Sequence, residues 1–399
     1  MKSCLLALCF TLSLWTGVAA AKPISLRIDG GAIHLGEIRL VRDKAVYFET
    51  TSGQMLKLAM AELNSDGRRI VKKWVGKRGG TLAYASWVGT DKEHFQKLWP
   101  RTLYGSTNIQ LLKNVKLSKK GVNVYESSHY RFITTDKVEM LKQERAAVLF
   151  EATYKLVMAM PINASAHYLA AGDKLPVYLF ATYEAYYRAG GRKGTAGLYH
   201  PRKKAVLVPL PAFDVKWDGR KWLPSRAESN SLLAHEMTHQ LCSGPSFSSW
   251  YIEGGAEYVA ALRYTHGVYH LDNSRQRVFD YVREREGLDD GSGRRLGSRI
   301  PLRSLESFMR LPYVKFSGRD ANKNYAVALL LTYYFYHHDG RKDGARIKAY
   351  IKAVQLGVRE PEAQKLLLDG RSYEQLQEEF RGFCAQGGLS LEFPRIFRR

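Results

Sequence analysis

Cysteine is scarce in this chain, with four in 399 residues: Cys4, Cys9, Cys242 and Cys384. Two of them fall in the first 21 residues, read below as a cleaved leader, so the mature protein is expected to hold at most one disulfide, between Cys242 and Cys384. Spacing does not choose between that bridge and two unpaired thiols. Acidic residues are also few, 38 Asp and Glu against 61 Lys and Arg, for a net charge of +23. The basic residues are spread along the whole length, with no basic motif interleaved with aromatics. That pattern excludes a dedicated nucleic-acid module, and it describes a solubilising surface able to meet an anionic cell-envelope component. Long apolar runs are missing as well: the N-terminal stretch Leu5 to Trp15 is shorter than the ~20 residues a membrane span requires. What is plentiful is core material, since 45% hydrophobic and 12% aromatic residues exclude bulk disorder.

Residues 1–21 read as a secretory signal peptide. Lys2 gives a basic start, Leu5 to Trp15 an apolar segment, and Gly17-Val18-Ala19-Ala20-Ala21 the small residues of a cleavage site. Cleavage after Ala20 or Ala21 would leave a periplasmic or extracellular chain without a transmembrane segment, at a charge of +22 (23 − 1, for Lys2).

Short alternating runs and tight turns follow. Ser25–Ile28, Ile33–Leu40, Ala45–Glu49 and Met55–Leu58 predict strands, and Leu63-Asn64-Ser65-Asp66 caps a helical turn reaching Val71 and Trp74. Residues 22–75 are therefore expected to form a small antiparallel barrel. Residues 76–120, broken at Gly76, Gly79 and Gly80, read as a linker with local structure. A larger region, 121–390, begins with a strand over Tyr125–Thr134. A long helix over Asp136–Met160 comes next, with Leu149, Tyr154 and Val157 on its apolar side. Pro176–Phe180 predicts a strand leading into a helix through Tyr186. Gly197–Tyr199 and Ala205–Val208 flank His200-Pro201-Arg202-Lys203-Lys204 as a hairpin, after which the pattern is helical. Strands first and helices afterwards indicate an α+β fold with a short mixed sheet.

The chemistry concentrates at His235-Glu236-Met237-Thr238-His239, in a segment with helical periodicity. Residues four apart share a helix face, so both imidazoles can reach one metal, with Glu236 beside them to take a proton from an activated water. A five-residue pattern also arises by chance. The next segment strengthens it: Trp250-Tyr251-Ile252-Glu253-Gly254-Gly255-Ala256-Glu257-Tyr258 starts a second helix, with Ser248 or Ser249 as its cap. Antiparallel packing would carry Glu253 to the histidines and give zinc two imidazoles, a carboxylate and an open position. Glu257, one turn on, could orient a ligand histidine through its other nitrogen, although an exposed Glu fits that position almost as well.

HExxH followed by WxxEGxAEY resembles the gluzincin metallopeptidases, and within them the peptidase-MA-like bacterial families. The resemblance runs from about Glu126 to Phe383. It implies one Zn2+ held by His235, His239 and Glu253, Glu236 as general base, Glu257 as the acid behind a ligand histidine, and a peptide or protein substrate. It also implies that the hairpin leading to Val206 supplies an edge strand for an extended substrate, and that Tyr325 matches a tyrosine following the zinc site. The tyrosine-rich helix around Tyr325 explains that residue equally as core. Cys242 and Pro245 stand where a metzincin would have a glycine and a third histidine, which excludes that family. His266, His270, His337 and His338 are spare candidates, and His337-His338 at a helix C-terminus is accounted for by the helix dipole. Residues 22–75 resemble an SH3-like barrel, the adaptor homology domain of exported bacterial proteins, which implies a non-catalytic interaction or positioning module. A non-catalytic envelope-binding protein with an idle zinc site is the alternative reading of the whole chain.

Overall fold

The structure is a computed structural model and describes residues 23–42, 45–52, 54–76, 95, 97–135, 140–164, 173–195, 197–213, 215–217, 222–224, 228–242, 247–283, 293–355 and 360–394. The expected leader lies outside the described residues. The chain divides into two compact units, Met1–Ala83 and Tyr84–Arg399.

In the first unit, β1 (Ile24–Arg27), β2 (Ile33–Arg42), β3 (Ala45–Thr50) and β4 (Met55–Ala59) pair in sequence order as an antiparallel meander. The alternation puts Leu26, Ile38, Val46, Phe48 and Leu58 on one face, where Leu63 and Val71 cover them. Val71 comes from α1 (Ser65–Gly76), whose start is capped by Asn64 Oδ1 accepting the Gly67 N–H at 2.8 Å. The four strands and the cap agree with the sequence pattern. A closed barrel is not present among the described residues: β1 and β4 remain at opposite edges, with only an isolated bridge from Ile28 to Leu63.

The second unit is built on a mixed six-stranded sheet in the order β10-β11-β9-β8-β7-β6. Its strands are β6 (Leu112–Lys113), β7 (Asn123–Glu126), β8 (Tyr130–Thr134), β9 (Leu175–Phe180), β10 (Leu198–His200) and β11 (Ala205–Pro209). The parallel pairs β8/β9 and β9/β11 are joined by α2 (Met140–Ala159) and α3 (Tyr183–Arg188), as parallel neighbours require crossovers. Among the described residues three small sheets accompany it: β5 (Thr102–Tyr104) with β14 (Arg263–Thr265) and β15 (Val268–His270), β12 (Val215–Trp217) with β13 (Trp222–Pro224), and β16 (Arg299–Pro301) with β17 (Ser390–Glu392). The α-helices that follow among the described residues are α4 (Glu228–Leu241), α5 (Ser249–Ala261), α6 (Ser274–Arg283), α7 (Leu305–Met309), α8 (Tyr313–Phe316), α9 (Ala321–His337), α10 (Ala345–Gln355), α11 (Glu360–Leu368) and α12 (Tyr373–Gln386). The fold class is α+β, as expected. Among the described residues no helix is long and apolar enough to cross a membrane.

Two sequence expectations are corrected. Residues 76–120 are not simply a linker, because β5 and β6 within them are paired into sheets of the second unit. Tyr125–Thr134 is not one strand but the hairpin β7–β8. Its turn is fixed by the buried Glu151 carboxylate, which accepts from Ser127 Oγ (2.6 Å) and the His129 N–H (2.8 Å) and meets His129 Nδ1 at 2.6 Å. No strand periodicity reports a partner 22 residues away. The hairpin leading to Val206 does contribute an edge strand, as expected: β10 is the edge, and β11, which carries Val206, lies inside the sheet.

Candidate metal centre

Helix α4 docks on the sheet with Leu233, Met237 and Leu241, four apart and fully buried, facing the core. Its C-terminal end is tied down by Gln240 Nε2, which donates to Pro176 O (2.9 Å) and Lys204 O (3.2 Å). The adjoining face then presents His235, Glu236 and His239 to a cleft of about 420 Å³. Gly197 permits the close approach of β10: a Cβ there would come within 2.5 Å of Leu233 Cδ2. As a result the Tyr199 N–H reaches Glu236 Oε2 at 2.7 Å.

Helix α5 packs against both α4 and α9. Its N-cap residue Ser248 makes no capping bond to its own helix. Instead Ser248 donates to the Glu360 carboxylate through its N–H, at 2.8 Å, and through its hydroxyl. At Gly254 the backbone runs against α9 so closely that a Cβ would overlap Thr332 Oγ1 and the Ala328 carbonyl. Glycine in the WxxEG sequence is therefore a packing requirement, and it sets how near Glu253 and Glu257 come to the histidines.

The result is a tight triad. His235 Nε2 and His239 Nε2 are 2.9 Å apart, and Glu253 Oε2 lies 3.2 and 3.3 Å from them. Ligand bonds of 2.0–2.1 Å at tetrahedral angles would separate neighbouring donor atoms by about 3.3 Å, which these three edges approximate. Glu253 is 2% exposed, and its Oε2 has no hydrogen-bond donor. A buried carboxylate oxygen without a donor is costly unless a cation meets it, so the donor set fits a divalent metal. Among the described residues this is the one grouping of three His, Cys, Asp or Glu side chains with ligand atoms close enough to hold an ion.

Behind the triad, His235 Nδ1 lies 2.8 Å from Glu257 Oε1, an ion-pair distance without the alignment of a straight hydrogen bond. Burial alone would lower the His235 pKa. The carboxylates of Glu253 and Glu257 outweigh burial and hold it up at about 10. Burial opposes ionisation of both carboxylates, yet Glu253 stays well below the usual range through His239 and His235. Glu257 is brought down to about 2 by Arg294 and His235. Tyr325, half-buried on α9, lines the same cleft with its ring centroid 6.0 Å from that of His235. Burial and the nearby carboxylates raise its pKa strongly, which keeps the phenol a hydrogen-bond donor.

All six residues singled out in the sequence thus meet: His235, Glu236, His239, Glu253, Glu257 and Tyr325. The spare histidines do not join the grouping. His337 is uncharged rather than dipole-favoured, since burial lowers its pKa to about 4 and its Nε2 bonds Tyr258 Oη at 2.9 Å. Cys242 and Cys384 are free thiols. Sequence reasoning missed Arg294 and Tyr313. Arg294 grips Glu257 from outside the motif segments, and Tyr313 lines the cleft and interacts with the Tyr325 hydroxyl. Neither stands at a fixed spacing from the histidines, so no motif reports them. No protein-family model matches this chain, and no curated protein matches it.

Proposed function

We propose that this chain is a zinc-dependent peptidase of the gluzincin type, with one Zn2+ held by His235, His239 and Glu253. The observation that carries this reading is the triangle of two Nε2 atoms and one donor-less Oε2, with edges of 2.9, 3.2 and 3.3 Å, at the wall of an open cleft. When bound, the ion would supply Lewis acidity and make an attacking water more acidic. The side chains around it do the rest. The Tyr199 N–H holds Glu236 through Oε2, which leaves Oε1 to accept the proton of the attacking water and return it to the leaving amine. Tyr325, kept protonated, is the donor for the developing oxyanion. The outer edge of β10, beside Glu236, suits an extended peptide backbone.

The export reading from residues 1–21, the SH3-like character of the first unit and an anionic envelope partner for the basic surface belong to the same proposal. The competing reading is a non-catalytic envelope-binding protein with an idle metal site. A carboxylate at Glu236, facing the cleft and not needed as a ligand, speaks against it. Metal analysis of purified protein, with a peptide-library cleavage assay on wild type and Glu236→Gln, decides the matter. One zinc per chain with cleavage lost in the variant supports the peptidase. One zinc with no cleavage above the variant's level refutes it, and no zinc removes the metal site.

A further inference from the structure

We infer that Arg294 is a positioning residue for the metal centre, acting through Glu257 on the His235 imidazole. The inference rests on the zinc reading above. Arg294 comes from the segment after α6, outside both helices of the motif. Its guanidinium grips Glu257 as a fork: Nε donates to Oε2 at 2.8 Å and Nη2 donates to Oε1. Both residues are largely shielded, with 18% of the Arg294 side chain and 1% of the Glu257 side chain exposed.

The backbone of Arg294 is itself held. Its N–H donates to Tyr281 O at 2.7 Å, and its carbonyl accepts from Asn322 Nδ2 at 2.6 Å. The guanidinium carbon also lies 5.0 Å from the centroid of the Tyr325 ring. A planar fork on two carboxylate oxygens fixes the plane of that carboxylate, which a single-point contact cannot do. Once fixed, Glu257 Oε1 has one remaining neighbour to serve, His235 Nδ1 at 2.8 Å. A carboxylate at ion-pair distance from Nδ1 keeps the ring proton on that nitrogen, which presents Nε2 as the metal ligand. The chain of constraint therefore runs from Arg294 to the Glu257 plane, to the His235 tautomer and ring angle, and so to Nε2.

The test is zinc affinity of the full chain, measured by competition with a chromophoric chelator, together with the d–d spectrum of the cobalt(II)-substituted protein. Removing a partner that orients a ligand typically costs 10–100-fold in metal affinity. Arg294→Met and Glu257→Gln should each weaken zinc binding by about 10–100-fold and shift the cobalt spectrum alike. The double variant should bind zinc as Glu257→Gln does, because Arg294 has nothing to act through once the carboxylate is gone. Arg294→Lys keeps the charge without the fork and should recover little. Should Arg294→Met fail to fold, Glu257→Gln and the double variant, which leaves no unpaired buried charge, still decide. Unchanged affinity in Arg294→Met, or a further loss in the double variant beyond Glu257→Gln, overturns the inference. A wild type that binds no zinc overturns instead the reading on which it rests.

Discussion

Gly254 offers the sharpest test of how the site is assembled. An alanine there gains about 1 kcal/mol of helix propensity over glycine. Against that, its Cβ would overlap Thr332 Oγ1 and the Ala328 carbonyl oxygen and sit 2.8 Å from the carbonyl carbon. Ordinary contact begins near 3.4 Å and the nearest backbone atom, the Ala328 carbonyl oxygen, would lie at 2.4 Å, so α5 and α9 must part by about 1.0 Å (3.4 − 2.4). The obstacle is helix backbone, which cannot swing aside as a side chain does. Overpacking costs about 1–3 kcal/mol, and this position belongs at the upper end. A net loss of about 2 kcal/mol lowers the melting temperature by roughly 3–6 °C. The same displacement moves Glu253 from the histidine pair, so zinc affinity falls as well. Gly255 is the internal control: its Cβ would meet only Tyr336 Oη at 3.8 Å, an ordinary contact. Gly255→Ala should therefore melt higher than wild type, by the propensity term alone. Thermal melts of both variants with a chelator titration check this. Equal melting temperatures and unchanged zinc affinity for Gly254→Ala would refute the reasoning.

Glu236→Gln should keep one zinc per chain, since the amide oxygen can still accept the Tyr199 N–H, while hydrolysis falls by about 10²–10⁴-fold. Chelation should destabilise the second unit by about 2.7 kcal/mol relative to protein held at 100 times its zinc dissociation constant, and added zinc should restore it. His337 should contribute an acid-sensitive step. Burial holds its folded pKa at about 4, below the ordinary histidine value of 6.5, so the unfolded chain takes up the proton first as pH falls. Stability is unaffected above 6.5, declines between 6.5 and 4 by on the order of 3 kcal/mol, and levels off below. Urea midpoints across that window should show a shallower decline in His337→Gln.

Much of the site was written in local pattern. HExxH and WxxEGxAE name their residues because helical spacing alone decides which side chains share a face, and His235, His239, Glu253 and Glu257 converge accordingly. Strands with clear alternation and turn punctuation, such as those of the first unit, were equally legible. The failures have a common cause. The β7–β8 turn depends on Glu151 in a later helix, and β5 on a partner strand at Val268–His270. The uncharged state of His337 depends on the Tyr258 and Trp99 rings packed around it.

By itself, the sequence determined the identity and helical register of the side chains proposed to hold the metal, since those follow from a 3.6-residue period. The tertiary structure alone decided that the three donor atoms lie about 3 Å apart, that a glycine lets α5 meet α9, and that Arg294 grips Glu257. These are contacts between segments far apart in the chain, and their distances are set by close packing, which no local spacing encodes.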